Sequence, residues 1–290
     1  MGAHAPGRPV LPRASRTATA WQRTSERGEA LLVSYLIAGD PDPAASLELL
    51  SGVVLAGTDL LELGLPSAAP LMDGAVIRRG HARSLAAGTP GPAFYRAVHA
   101  RVAAPIWAMG YGRQLLRDLT PPASRPPSSS LAWPGGPLLD GLLSEGLIDG
   151  LILPDLPYLE HRPLYHALEG RGIDMVRLVH LGMSGEVLRA TLEGATAVYA
   201  QAYAGATGNP LAGHDQVSQL LGRVRQYSSA LTVLGFGLRT PEKVAAAMNA
   251  GFDGALVGTA LVERCGLCEE DALYALVARM KATTRREQRP

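Results

Sequence analysis

LLVSYLIAGDPDPAASLELLSGVVLAGTDLLELGLP (residues 31–66) decides how the chain folds. Its opening, LLVSYLIAG (31–39), is an almost unbroken apolar run that ends at Gly39-Asp40-Pro41, as a buried strand does on reaching a turn. Residues 43–57 change period, with helical spacing up to Gly57. LLELGLP (60–66) then returns to a continuous apolar run. Neither run alternates apolar with polar, so both faces of each strand are expected to be covered, as in a parallel sheet.

The same beat continues to the C-terminus. Strand-like runs recur at 105–111, 150–155, 174–181, 196–203, 231–237 and 254–261. Helix-like spacing fills 75–88, 91–103, 138–146, 158–172, 185–194, 215–228, 240–250 and 269–283. Eight strand-like runs, each followed by a helix, predict an α/β fold: a closed (β/α)8 TIM barrel, a single domain over 25–290. An open doubly wound sheet would carry a glycine fingerprint after its first strand, and GDPDPAAS (39–46) does not match it.

Two segments depart from the beat. Residues 1–24 hold Arg8, Arg13, Arg16 and Arg23 and no acid, without the apolar core of a secretory signal. They read as a disordered basic tail, with a transit peptide as the alternative. TPPASRPPSSSLAWPGGP (120–137) follows the third strand and is rich in Pro and Ser. It reads as an insertion on the loop face of the barrel, either a surface ornament or a lid or partner contact.

Composition narrows the function. A net charge of +1 gives no global field for nucleic acid, and no apolar run reaches the roughly 18 residues that span a bilayer. Cys265 and Cys268 form one C-x-x-C with no second pair, so they read as helix residues and not as a metal site, in keeping with a reducing cytoplasm.

Two acids stand out in LELGLPSAAPLMDG (61–74). A carboxylate at Glu62, inside an apolar strand, is costly unless it is paired or used. Asp73 precedes Gly74 on the loop after that strand, where barrels carry their chemistry. Each has a plainer reading: Glu62 as the partner of a buried cation, Asp73 as a turn former or cap for the next helix. Together they suggest a general acid and base serving one substrate. AGATG (204–208), GFG (235–237) and VGTA (257–260) follow the last three strands. Glycine-rich turns there suit a phosphate held by backbone N–H groups, with Thr259 adding a hydroxyl. Arg113, His180 and His214 lie near predicted loop ends, where structural roles are the plainer reading.

The order and spacing of YLIAGDPD (35–42), LELGLP (61–66), PLMDG (70–74), LPDLP (153–157), AGATG, GFG and VGTA resemble the tryptophan synthase α subunit family, from about Leu31 to Met280. The resemblance implies a (β/α)8 barrel that cleaves indole-3-glycerol phosphate to indole and glyceraldehyde 3-phosphate, with no cofactor and no metal. It puts the catalytic pair on Glu62 and Asp73, and the loop-closing threonine on Thr207. It puts the phosphate site on Gly208, Phe236, Gly237, Gly258 and Thr259. Tyr35, Tyr111 and Tyr199 match the indole pocket, and Asp155 an acid near the subunit interface. The implied partner is a β subunit in an α2β2 assembly, and the implied setting is cytoplasmic tryptophan biosynthesis. A free-standing indole-producing lyase, or a weakly active subunit that binds a phosphorylated ligand for regulation, is the alternative. The departures cluster on the partner side. Ser67-Ala68-Ala69 replaces an aromatic, a serine and an aspartate, Arg113 replaces an asparagine, and 120–137 is extra.

Overall fold

The computed structural model describes residues 15–116, 135–201, 214–235 and 237–285. Residues 120–134 of the insertion at 120–137, the AGATG turn with Thr207 and Gly208, and Phe236 lie outside the described residues. The chain begins with α1 (Arg16–Glu26) and β1 (Leu31–Ile37). Then come α2 (Pro43–Leu55), β2 (Leu60–Gly64), α3 (Ala75–Ala87), α4 (Pro92–Arg101), β3 (Ile106–Met109) and a short α5 (Gly112–Leu115). The middle holds α6 (Pro137–Ser144), β4 (Gly150–Ile152), α7 (Tyr158–Glu169), β5 (Asp174–Met175), β6 (Arg177–His180) and α8 (Gly185–Leu192). The last part runs β7 (Ala197–Gln201), α9 (His214–Arg225), β8 (Leu231–Gly235), α10 (Pro241–Asn249), β9 (Gly254–Val257), α11 (Thr259–Gly266) and α12 (Glu270–Ala282).

All strand pairs are parallel, in the order β5-β4-β3-β2-β1-β9-β8-β7-β6. β5 and β6 flank Val176 on one extended segment, β5 pairing with β4 and β6 with β7. The two ends of the sheet are thus halves of a single strand, and the sheet is the expected eight-stranded (β/α)8 barrel. The eighth strand is shorter than its apolar run implied. It stops at Val257, and α11 starts at Thr259, because Gly258 turns the chain and the apolar residues beyond it pack as a helix face.

Aspartates fix the register at the entry end of the barrel. Asp59, Asp149 and Asp253 each stand just before a strand and accept a backbone N–H from the neighbouring strand: Leu32, Ile106 and Thr232, each at 2.8 Å. Strand alternation then sorts the side chains. Leu31, Val33, Tyr35, Trp107, Val176, Tyr199, Leu231 and Val233 fill the barrel, while Leu32, Leu36, Leu61 and Leu63 pack outward under the helices.

Inside the barrel, large side chains lie over glycines. A methyl at Gly64 would come within 2.4 Å of the Tyr35 hydroxyl, and one at Gly235 within 1.8 Å of the Tyr199 ring. Both glycines make room for an aromatic on the next strand. Gly235→Ala should therefore destabilise the fold by about 1–3 kcal/mol, the usual cost of overpacking a core. Urea unfolding of the variant measures this, and a midpoint equal to the parent's would show that the Tyr199 ring yields freely.

The basic tail needs correction. Residues 16–24, assigned to a disordered segment, form most of α1 and close the base of the barrel. Ser15 caps the helix through Ala18 N–H at 3.0 Å. Arg16 pairs with Asp149 at 3.1 Å and donates to the carbonyls of Ala103 and Ala104 at 3.0 Å. Trp107 Nε1 donates to Thr17 Oγ1 at 3.1 Å. Polar contacts anchor this helix, and only Ala20 and Trp21 add apolar packing against the barrel interior, so little in the sequence marks it.

Candidate active site

Glu62 lies on the inner face of β2, in register with Tyr35 of β1 and Trp107 of β3. It is 2% exposed, and its Oε2 has no hydrogen-bond partner among the described residues. No cation pairs with it there, so the plainer structural reading of this carboxylate lacks its counter-ion. Burial, and secondarily the charge of Asp73, push its pKa up from 4.5 to about 8. Glu62 is therefore a carboxylic acid at neutral pH, able to give a proton away.

Asp73 lies at the end of the loop after β2, where its own N–H bonds the Pro70 carbonyl at 3.2 Å. It does not cap α3. The N-cap is Gly74, with no side-chain cap bond. The carboxylate is 2% exposed and is held on one side only. Tyr111 donates its hydroxyl to Oδ2 at 2.7 Å, and His81 meets the same oxygen through Nε2 at 3.3 Å. Oδ1 is buried with no partner among the described residues. One oxygen is thus anchored, and the other is left for a donor from a ligand.

His81 is a site residue that the sequence reading missed. Its Nδ1 accepts the N–H of Ser67 at 3.3 Å, which puts the ring proton on Nε2, facing Asp73. The ring is 1% exposed and ties both ends of the loop after β2 together. Its signal was a histidine on the stripe Ile77, His81, Ser84, the buried face of a helix that begins beside Asp73.

Around the two acids runs a mostly apolar cavity. Tyr35, Ile77, Met109, Ile152, Leu178, Tyr199 and Leu256 line it, and Gly237, Arg239, Gly258 and Thr259 form its far end. Tyr35 and Tyr199 are on the wall of this cavity, and the Tyr35 hydroxyl is buried without a partner among the described residues. Tyr111 is used differently from expectation. It stands behind Asp73, bonded to it and to the N–H of Met72 at 3.2 Å. Burial, and after it the charge of Asp73, raise its pKa, so it remains a phenol and a donor.

Arg113, His180 and Asp155 are not among the described residues that line the cavity. Arg113 is exposed on α5. His180 Nδ1 accepts from Gly182 N–H at 3.1 Å, and nothing is described of the His214 side chain. Asp155 accepts the Gly112 N–H at 3.0 Å, which joins the loops after β3 and β4. Cys265 is buried in α11, whereas Cys268 lies past the helix end, exposed, with φ 56°.

Glu62 gives the fold a pH signature. The folded state holds this proton more tightly than the unfolded chain, so stability falls as pH rises from 4.5 through about 8. Glu62→Gln removes that loss. At pH 9 the variant should be more stable than the parent by on the order of a few kcal/mol, and at pH 4 nearly equal to it. Urea melts at both pH values compare them, and equal stability at pH 9 would place the folded pKa near the ordinary value.

The pattern of acids and glycine turns has counterparts in known proteins. The family model described as tryptophan synthase alpha chain matches residues 21–288. The chain belongs to the tryptophan synthase alpha chain family. The alpha chain of Novosphingobium aromaticivorans is 33% identical over 244 residues, covering 82% of this chain and 85% of that one. The alpha chain of Natronomonas pharaonis is 34% identical over 237 residues, covering 81% and 82%. A structure of Mycobacterium tuberculosis tryptophan synthase superposes with a TM-score of 0.78 at 28% identity, over 95% of this chain and 100% of that one. No helix among the described residues is long and apolar enough to cross a bilayer.

Proposed function

We propose that the chain cleaves indole-3-glycerol phosphate to indole and glyceraldehyde 3-phosphate, as the alpha chain of a tryptophan synthase. The observation that carries this is a buried Glu62 with Oε2 unpartnered among the described residues, in one mostly apolar cavity with an Asp73 that has one oxygen anchored and the other unpartnered among those residues. The indole ring lies between the apolar walls, with Tyr35 and Tyr199 against it. Asp73 Oδ1 accepts the ring N–H and stabilises the positive charge that builds on the ring when carbon 3 is protonated. Glu62 delivers that proton. The bond between ring carbon 3 and the glycerol carbon then breaks, its electrons return to the ring, and indole leaves. The hydroxyl on that glycerol carbon becomes the aldehyde, and the Glu62 carboxylate takes its proton, which restores the acid. The phosphate sits at the turns of Gly237, Gly258 and Thr259, with Gly208 and Phe236 completing the site and Thr207 closing over Asp73. No metal or cofactor is needed for this proton traffic.

The partner of this reading is a tryptophan synthase β subunit, and its setting is the cytoplasm. Leu71 is 70% exposed and Met72 38% exposed beside Asp73, which leaves apolar surface at the mouth for a docking partner. The changed loop at 67–69 and the insertion at 120–137 weaken docking of a standard β subunit in this reading. The test is indole release by the purified chain from indole-3-glycerol phosphate, with and without a β subunit. Indole and glyceraldehyde 3-phosphate should form in equal amounts, faster with the partner. No indole in either case overturns the reading and leaves a regulatory subunit that binds a phosphorylated ligand.

A further inference from the structure

The far end of the cavity holds a charge that glycine turns alone do not supply. Arg239 follows Gly237-Leu238 on the loop after β8 and lines the cavity beside Gly258 and Thr259. It is the only cationic side chain among the described residues on that wall. Its Nη2 donates to Glu263 Oε2 at 2.5 Å, and both side chains are partly exposed, at 37% and 41%. Glu263 lies one helical turn after Thr259 on α11, so the pair sits at the rim of the glycine turns.

Backbone N–H groups orient an anion but carry no net charge. A phosphate monoester near neutral pH brings close to two negative charges into a cavity that already holds Asp73. A guanidinium has five donors in a planar fork, and the bond to Glu263 uses one of them.

We propose that Arg239 is a specificity residue for the phosphate monoester, and that Glu263 is an internal anion competing with the phosphate for it. The inference rests on the phosphate reading given under Proposed function. Glu263 holds the guanidinium at the rim. An arriving dianion takes bonds from it, so Arg239 selects phosphorylated over unphosphorylated substrate, and Glu263 sets how tightly the product's phosphate is kept.

Calorimetric titration of the full chain with inorganic phosphate and with glycerol 3-phosphate tests this. Arg239→Met should weaken binding by on the order of tenfold, a charge-assisted bond discounted for solvent exposure. Arg239→Lys should lose less. Glu263→Gln should tighten binding several-fold, because it releases the guanidinium. The opposite signs are the decisive feature, since a pair that serves only to brace the loop would weaken binding in both variants. For indole-3-glycerol phosphate, Arg239→Met should raise KM by more than it lowers kcat. Unchanged phosphate affinity in Arg239→Met, or weakening in Glu263→Gln, overturns the inference while phosphate binding by the parent stands. If the parent chain binds neither probe, the phosphate reading falls and this inference falls with it.

Discussion

Glu62→Gln is expected to lower the rate of indole release by on the order of 10²–10⁴, the usual contribution of a positioned general acid–base. Gln keeps the length, planarity and burial of the side chain but has no proton to give. The loss should lie at the upper end, because in the proposed mechanism the same carboxyl acts twice: it protonates ring carbon 3 and then takes the proton of the glycerol hydroxyl. The binding of glycerol 3-phosphate should hardly change, since Glu62 lies on β2 and the glycine turns follow β8 and β9. Single-turnover measurement of indole separates the chemical step from product release. Indole formation within tenfold of the parent would remove Glu62 from the chemistry.

Asp73→Asn is the second large effect, expected at about 10²–10³ in kcat/KM, comparable to the loss of a preorganised electrostatic contact. The substitution removes the charge, and the amide must also choose an orientation. Tyr111 and His81 both donate to Oδ2, so the Asn oxygen has to turn towards them. That points the NH2 group at the place where the indole N–H would be accepted, a donor facing a donor. Tyr111→Phe removes one of the two anchors and leaves the charge, so it should cost about tenfold. Steady-state kinetics of the two variants rank these effects. An Asn variant no worse than the Phe variant would show that neither the charge nor the free oxygen of Asp73 is used.

The barrel was legible because strands covered on both faces leave apolar runs, and the runs recur at the spacing of βα units. Its closure could be anticipated only as a count. That one segment, 174–180, pairs with β4 through its first residues and with β7 through its last is a fact of three dimensions. Helix α1 was hidden because hydrogen bonds to Asp149, Ala103, Ala104 and Trp107 hold it, and none of these partners is near in sequence. Glu62 and Asp73 were legible as oddities, charges set in apolar company. His81 and Arg239 looked like ordinary helix and loop residues. They gain meaning only when the fold brings His81 to Asp73, and Arg239 to the same cavity as Gly258 and Thr259.

The helix under the barrel has a consequence for traffic. With Arg16 and Thr17 fastened across the base and Trp107, Val176 and Leu231 filling the interior, the described residues form a vessel with one door. Substrate entry, departure of indole and departure of the aldehyde must share that door in turn. Each product left inside blocks the next substrate, and whatever covers the mouth governs all three passages at once. In the proposed function a partner seated there is therefore gatekeeper and recipient in one, because the described residues close the base of the barrel behind indole.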